Sequence, residues 1–296
     1  MESLGRLITA MVTPFDNSGG VDYEQAKRLA LALLNSGSEG LVISGTTGES
    51  PTLSKEEKIL LFTEIKSAIG CQGSVIAGCG NNNTRESIQL TMEAEKTGVD
   101  AILLVVPSYN KPTQEGLFQH FKAIAESTSL PCILYNVPSR TVTSLSVETV
   151  IRLSEIDNIA GIKEASGNLE QIAKIIQGTE DDFIVWSGND SDTLPVLALG
   201  GYGVVSIASH LVGNQIVKMM EDFLSARAQE AASAHRKLLP LVNALFVISN
   251  PIPVKYALNH IGFPVGKPRL PLTEPDENSR AIIEATLKYY HIDLPV

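Results

Sequence analysis

A lysine suited to covalent chemistry sits at Lys163, in the run Gly161-Ile162-Lys163-Glu164-Ala165-Ser166-Gly167. If residues 159–163 form a buried strand, its period of two puts Lys163 on the same face as Gly161, which has no side chain. An ammonium in such a place is costly unless it is paired or neutral. A lysine with the ordinary pKa of about 10.4 presents free amine in about one molecule in 2,500 at pH 7, so an imine-forming lysine needs a desolvating setting. That chemistry is nucleophilic attack on a substrate carbonyl. The alternative is a structural ion pair, with Asp190 or Glu49 as partner. Three further runs hold groups that suit such a reaction. Thr46 and Thr47, between Gly45 and Gly48, offer hydroxyls and backbone N–H groups to an anion, although such loops also serve as plain turns. Neither GxxxxGK[ST] nor GxGxxG occurs there, so a nucleotide-phosphate loop is not indicated. Tyr135 ends an apolar run and is either core or a proton-relay phenol. Arg140 offers a planar fork for a carboxylate, or is a solvated loop charge.

These residues need a frame that brings them to one end. Eight short apolar runs, at 7–12, 40–44, 74–78, 101–106, 131–135, 159–163, 183–187 and 202–207, alternate with helical patterns up to about residue 220. Residues 102–106 are apolar on both faces, as in parallel strands covered on each side. The helices carry their own punctuation. Ser54-Lys55-Glu56-Glu57 reads as a capping box for a helix running to Ile69, with Gly70 behind it. Further helices are expected to open at Thr84 and Ser146, and Asn214 reads as the cap of another. Eight strand–helix units close into a (β/α)8 barrel, the α/β class of TIM barrels. From about Ala226 the alternation stops, and about three helices are expected. The expected organisation is a catalytic barrel over residues 1–225 and a packed helical region over residues 226–296. In such a barrel the chemistry belongs to the C-terminal ends of the strands and the loops that follow them, where all the residues above fall.

The chain has 296 residues with 23 Lys plus Arg against 33 Asp plus Glu, a net charge of −10. That balance argues against binding to a nucleic-acid backbone. No apolar run approaches the roughly 20 residues needed to span a bilayer, and residues 1–10 do not read as a signal peptide. Cys71, Cys79 and Cys132 form no CxxC pair, which fits a reducing, cytoplasmic setting with neither disulfide framework nor thiolate metal site.

Four runs in order — residues 45–50, 109–116, 135–141 and 161–167 — resemble the dihydrodipicolinate synthase family. It belongs to the pyruvate-dependent class I aldolases, which also contain N-acetylneuraminate lyase. The likeness extends from residues 9–15 through the C-terminal region. It implies that Lys163 forms an imine with pyruvate, which tautomerises to an enamine. It implies a proton relay of Tyr135, Thr47 and Tyr109, with Tyr109 supplied by a neighbouring subunit. Thr46 and Thr47 would hold the pyruvate carboxylate, Arg140 the carboxylate of L-aspartate 4-semialdehyde, and the backbones of Gly188 and Ile207 would line the same pocket. The product would be 4-hydroxy-tetrahydrodipicolinate, on the route to diaminopimelate and lysine. Neither metal nor organic cofactor is implied, because the imine is the electron sink, and a homotetramer built as a dimer of dimers is expected.

Where sialic-acid lyases resemble Gly-Ser-Thr-Gly-Glu, this chain has Gly45-Thr46-Thr47-Gly48-Glu49, and those lyases lack an arginine at the place of Arg140. A short anionic semialdehyde suits that arginine better than a long sugar acid does. The rival readings are an aldolase for a 2-keto-3-deoxy sugar acid and, more remotely, a non-catalytic keto-acid-binding barrel. The regulatory site of lysine-inhibited relatives maps onto Pro51, Lys55, Lys58, Asn82, Glu86 and Ser108. Two lysines there would repel the cationic effector, so weak or absent lysine inhibition is expected.

Overall fold

The computed structural model describes residues 4–295. Eight strands form a closed parallel barrel in chain order: β1 Leu7–Ala10, β2 Gly40–Ile43, β3 Ser74–Gly78, β4 Ala101–Val105, β5 Cys132–Asn136, β6 Ile159–Glu164, β7 Ile184–Ser187 and β8 Gly203–Ser206. Between them run α1 Tyr23–Asn35, α2 Lys55–Ile69, α3 Thr84–Glu95, α4 Gln114–Ala125, the short α5 Pro138–Thr141 with α6 Val147–Ser154, α7 Leu169–Gly178 and α8 Thr193–Ala198. After β8 come α9 Ser209–Leu224, α10 Ala228–Ala244, α11 Ile252–His260 and α12 Glu277–Leu287. The expected (β/α)8 architecture and C-terminal helices are present. No described helix is long and apolar enough to cross a membrane.

Alternation along each strand divides the core in two. Ile8, Val42, Ile76, Leu103, Ile133, Tyr135, Trp186 and Val205 fill the barrel interior. Their neighbours Leu7, Leu41, Val75, Ile102, Leu134, Ile162 and Val204 pack outward under the helices. Both faces of each strand are therefore apolar, which is why the runs read as continuous in sequence. A Cβ on Gly161 would stand 2.9 Å from Cζ3 of Trp186 and 2.2 Å from the Ile184 carbonyl oxygen. The missing side chain makes room for the indole, whose Nε1 donates to the Gly5 carbonyl at 3.0 Å.

Local signals place most helix starts. Ser54 and Glu57 form the reciprocal capping box, and Ser146 accepts from Thr149 N. The helix expected at Thr84 is capped one residue earlier, by Asn83. The expectation at Asn214 is corrected. The helix opens at Ser209, a kink at Val212 (φ −133°, ψ 39°) interrupts it, and Asn214 lies inside. The tight turn into that helix is tied by Ser206 Oγ accepting from Ser209 N at 2.9 Å, a tertiary contact with no local signature.

The last three helices lean on the barrel and on each other: α10 packs on α9 and α12, and α11 on α12. Tyr290 fastens the end of the chain, its hydroxyl donating to the Lys237 carbonyl at 2.6 Å and accepting from Leu241 N at 3.2 Å.

Candidate active site

Lys163 and Tyr135 occupy paired positions on adjacent strands β6 and β5, and the next pair in register is Asn136 with Glu164. Parallel alternation turns the first pair into the barrel and the second outward. Lys163 is 6% exposed, and its Nζ lies 4.3 Å from the centroid of the Tyr135 ring. Among the described residues it has no ion-pair partner. The alternative reading, a salt bridge to Glu49 or Asp190, is thereby overturned. Glu49 is bound by Lys255 at 2.8 Å. Asp190 accepts from Ser206 Oγ and from the backbone N–H of Ile207, at 3.0 Å, and of Ala208, at 3.3 Å. Burial pushes the Asp190 carboxyl above its ordinary value, and those hydrogen bonds and the Lys163 charge pull against the shift.

Behind the lysine, Glu164 spans the ends of β5 and β6. It accepts from Asn136 Nδ2 at 3.0 and 3.2 Å and from Ser166 N at 2.8 Å. Burial raises its pKa and the hydrogen bonds oppose the rise. This bridge fixes the spacing of the inward pair one residue earlier.

Thr46, Thr47, Tyr135, Arg140, Lys163, Gly188 and Ile207 line one cavity of about 360 Å³ at the C-terminal end of the barrel. Arg140, exposed at its mouth, sits on the single-turn α5 and donates Nη2–H to the Asn250 carbonyl at 3.3 Å. Gly188 approaches closely enough for its N–H to reach the Glu164 carbonyl at 2.7 Å, and a Cβ there would stand 2.6 Å from that of Ala165. Ile207 is held from both sides. Its N–H goes to Asp190, and its carbonyl lies 2.9 Å from Nδ1 of His210. The other ring nitrogen of His210 accepts from Val12 N at 3.2 Å, so this buried ring is neutral with the proton on Nδ1. Burial pulls its pKa down to about 4.

Tyr109 lies elsewhere. It is 90% exposed on the loop after β4, with a left-handed backbone (φ 74°), and does not line this cavity. A second cavity of about 440 Å³ adjoins the first and shares Thr46 and Tyr135 with it. Pro51, Lys58, Asn82 and Ser108 line it. Lys55 does not, since it pairs with Glu93 at 2.5 Å, and Glu86 instead bonds Asn81 and Asn83. Burial lowers the pKa of Lys58, while Cys79 and Glu86 oppose the shift.

Sequence reading missed the C-terminal contribution. Phe246, Ser249 and Asn250 line the cavity of Lys163 from the segment between α10 and α11. Asn250 Nδ2 donates to Thr47 Oγ1 at 3.0 Å. Lys255 on α11 ties down the far end of the same loop through Glu49, whose second oxygen accepts from Arg269 N at 2.9 Å. These partners lie more than 200 residues from the loop they hold, and the only local cue was the punctuation at Pro251 and Pro253.

A model of the dihydrodipicolinate synthetase family matches residues 3–290. The 4-hydroxy-tetrahydrodipicolinate synthase of Dehalococcoides mccartyi strain CBDB1 is 64% identical over 296 residues, covering all of both chains. That of Bacillus subtilis strain 168 is 52% identical over 286 residues, covering 96% of this chain and 99% of the relative. Among solved structures, a dihydrodipicolinate synthase from Bacillus anthracis superposes with a TM-score of 0.96 at 46% identity, over 98% of this chain and 100% of the other. One from Cyanidioschyzon merolae with lysine bound gives 0.95 at 47% identity, over 96% and 97%.

Proposed function

The chain belongs to the dihydrodipicolinate synthetase family, and from that premise we propose how its residues divide the work. The reaction is the condensation of pyruvate with L-aspartate 4-semialdehyde to 4-hydroxy-tetrahydrodipicolinate, a lyase-class step of lysine biosynthesis. Lys163 Nζ attacks C2 of pyruvate as the free amine, and loss of water leaves an imine. A proton leaves C3, and the resulting enamine carbon attacks the aldehyde. The semialdehyde's own amine then closes on C2 and displaces Lys163. The sum is release of one water and one proton for each product.

Thr46 and Thr47 hold the pyruvate carboxylate, with the backbones of Gly188 and Ile207 around it. Tyr135 and Thr47 carry the proton removed from C3 and returned to the aldehyde oxygen, and Arg140 binds the second carboxylate at the cavity mouth. Tyr109, which is exposed in its own chain, completes the relay in a second copy. That requires at least a dimer, and a homotetramer is proposed in the cytoplasm. Residues 1–225 serve as the catalytic barrel, and residues 226–296 as the helical region that closes the site from behind.

The observation that carries this reading is the inward pairing of an ion-pair-free lysine with a tyrosine ring at 4.3 Å in the cavity that also holds Thr47 and Arg140. A coupled assay with pyruvate and the semialdehyde tests it: turnover is expected, and turnover only with 2-keto-3-deoxy sugar acids would replace the substrate assignment.

A further inference from the structure

A threonine hydroxyl has one proton to give and two lone pairs with which to accept. The hydroxyl of Thr47, which is 3% exposed, has one hydrogen-bond partner among the described residues, and it is a donor: Nδ2 of Asn250, at 3.0 Å. One lone pair is thus occupied from the C-terminal side, and the proton is left without an acceptor among the described residues. Asn250 is held in place to do this. It is 4% exposed, and its backbone carbonyl accepts from Arg140, so one residue touches both the relay hydroxyl and the arginine at the mouth. Its own Oδ1 is buried with no partner among the described residues. Turned end for end, the amide would accept the Thr47 proton and consume it.

We propose that Asn250 is a positioning residue for the condensation: by donating to Thr47 Oγ1 it fixes that hydroxyl as a proton donor toward the cavity containing Lys163 and Tyr135. This deepens the reading above and rests on it, since Thr47 matters only if a proton moves at an imine held by Lys163. The step concerned is the exchange between the imine and enamine of pyruvate. A proton leaves C3 for the relay of Thr47 and Tyr135, its bonding electrons form the C2–C3 double bond, and the electron pair of the C2=N bond moves onto the iminium nitrogen and neutralises its charge. The reverse step returns a proton to C3. The second substrate plays no part, so neither does Arg140.

The test is exchange of the pyruvate C3 protons for deuterium in D2O at saturating pyruvate, in wild type, Asn250→Asp and Asn250→Ala. Each rate is divided by the fraction of imine trapped at Lys163 with borohydride, and a thermal melt confirms that each variant is folded. Asp is the closer fit in shape, but it offers only acceptors, so it draws the Thr47 proton away from the cavity. Ala leaves that proton free. A positioned proton transfer is worth typically 10²–10⁴-fold. The expected result is a fall of about 100-fold in Asn250→Asp and at most about tenfold in Asn250→Ala. A purely space-filling role predicts the opposite order. Exchange in Asn250→Asp equal to or faster than in Asn250→Ala overturns the proposal. Failure to trap any imine in wild type defeats the Schiff-base reading itself, which keeps the two failures distinct.

Discussion

Replacing Lys255 with methionine removes the cation that fixes the far end of the Thr46–Thr47 loop. The side chains of Lys255 and Glu49 are 1% and 0% exposed. The Lys255 ammonium donates to Glu49 Oε1 at 2.8 Å, the Thr13 carbonyl at 3.0 Å and the Lys267 carbonyl at 3.2 Å, and it lies 4.1 Å from the Phe15 ring centroid. Burial lowers its pKa and the Glu49 carboxylate opposes that shift. Without it, one carboxylate oxygen is stranded in the interior, and only Arg269 N remains on the other. Breaking a buried pair on one side costs about 3–5 kcal/mol, whereas replacing both charges is far milder. For a chain of this size that is a fall in melting temperature of roughly 5–8 °C. Glu49 is two residues from Thr47, so the KM for pyruvate should rise as well. Calorimetry at fixed protein concentration, with Lys255→Met, Glu49→Gln and the double variant, reads all three terms. The double variant should recover part of the loss. If Lys255→Met melts within 2 °C of wild type, or the double variant is worse than both singles together, the buried pair is not the clamp described.

Stability should fall on acidification because His210 is buried neutral. Its pKa is about 4 when folded against 6.5 in the open chain, so the unfolded state binds more protons between those values. The contribution, about 3 kcal/mol, is present above pH 6.5 and is lost as pH falls toward 4. The raised carboxyls of Asp190 and Glu164 work in the opposite direction in the acid part of that range. Urea midpoints of His210→Gln should therefore change less steeply between pH 6.5 and 4.5 than those of wild type, and an unchanged slope would remove His210 from the account. L-Lysine should inhibit weakly or not at all, since the Lys58 ammonium lines the cavity beside that of Lys163 and, among the described residues, has no anionic partner within ion-pair range. Inhibition at micromolar lysine in a steady-state titration contradicts this.

The barrel was legible because its strands carry their burial in their own composition. All eight runs are strands, with ends displaced by at most two residues, as where residues 7–12 shorten to Leu7–Ala10. Alternation alone put Lys163 inward beside Gly161, and the structure adds the reason for the glycine in Trp186. What stayed hidden depends on distant partners. Nothing near Glu49 marks Lys255 as its counter-ion. Nothing near Thr47 marks Asn250. Asn214 looked like a cap because its type suits one, but Ser206 and Asp190 begin the helix five residues earlier. Lys55 shares the helix of Lys58 yet turns to Glu93, a choice made by α3.

The central claim is that Lys163 carries the substrate as an imine. Incubation with pyruvate and borohydride, followed by peptide mass spectrometry, should place a reduced pyruvate adduct on the peptide containing Lys163 and leave Lys58 and Lys255 unmodified. An adduct confined to another lysine, or none in an enzyme that turns over, would contradict it.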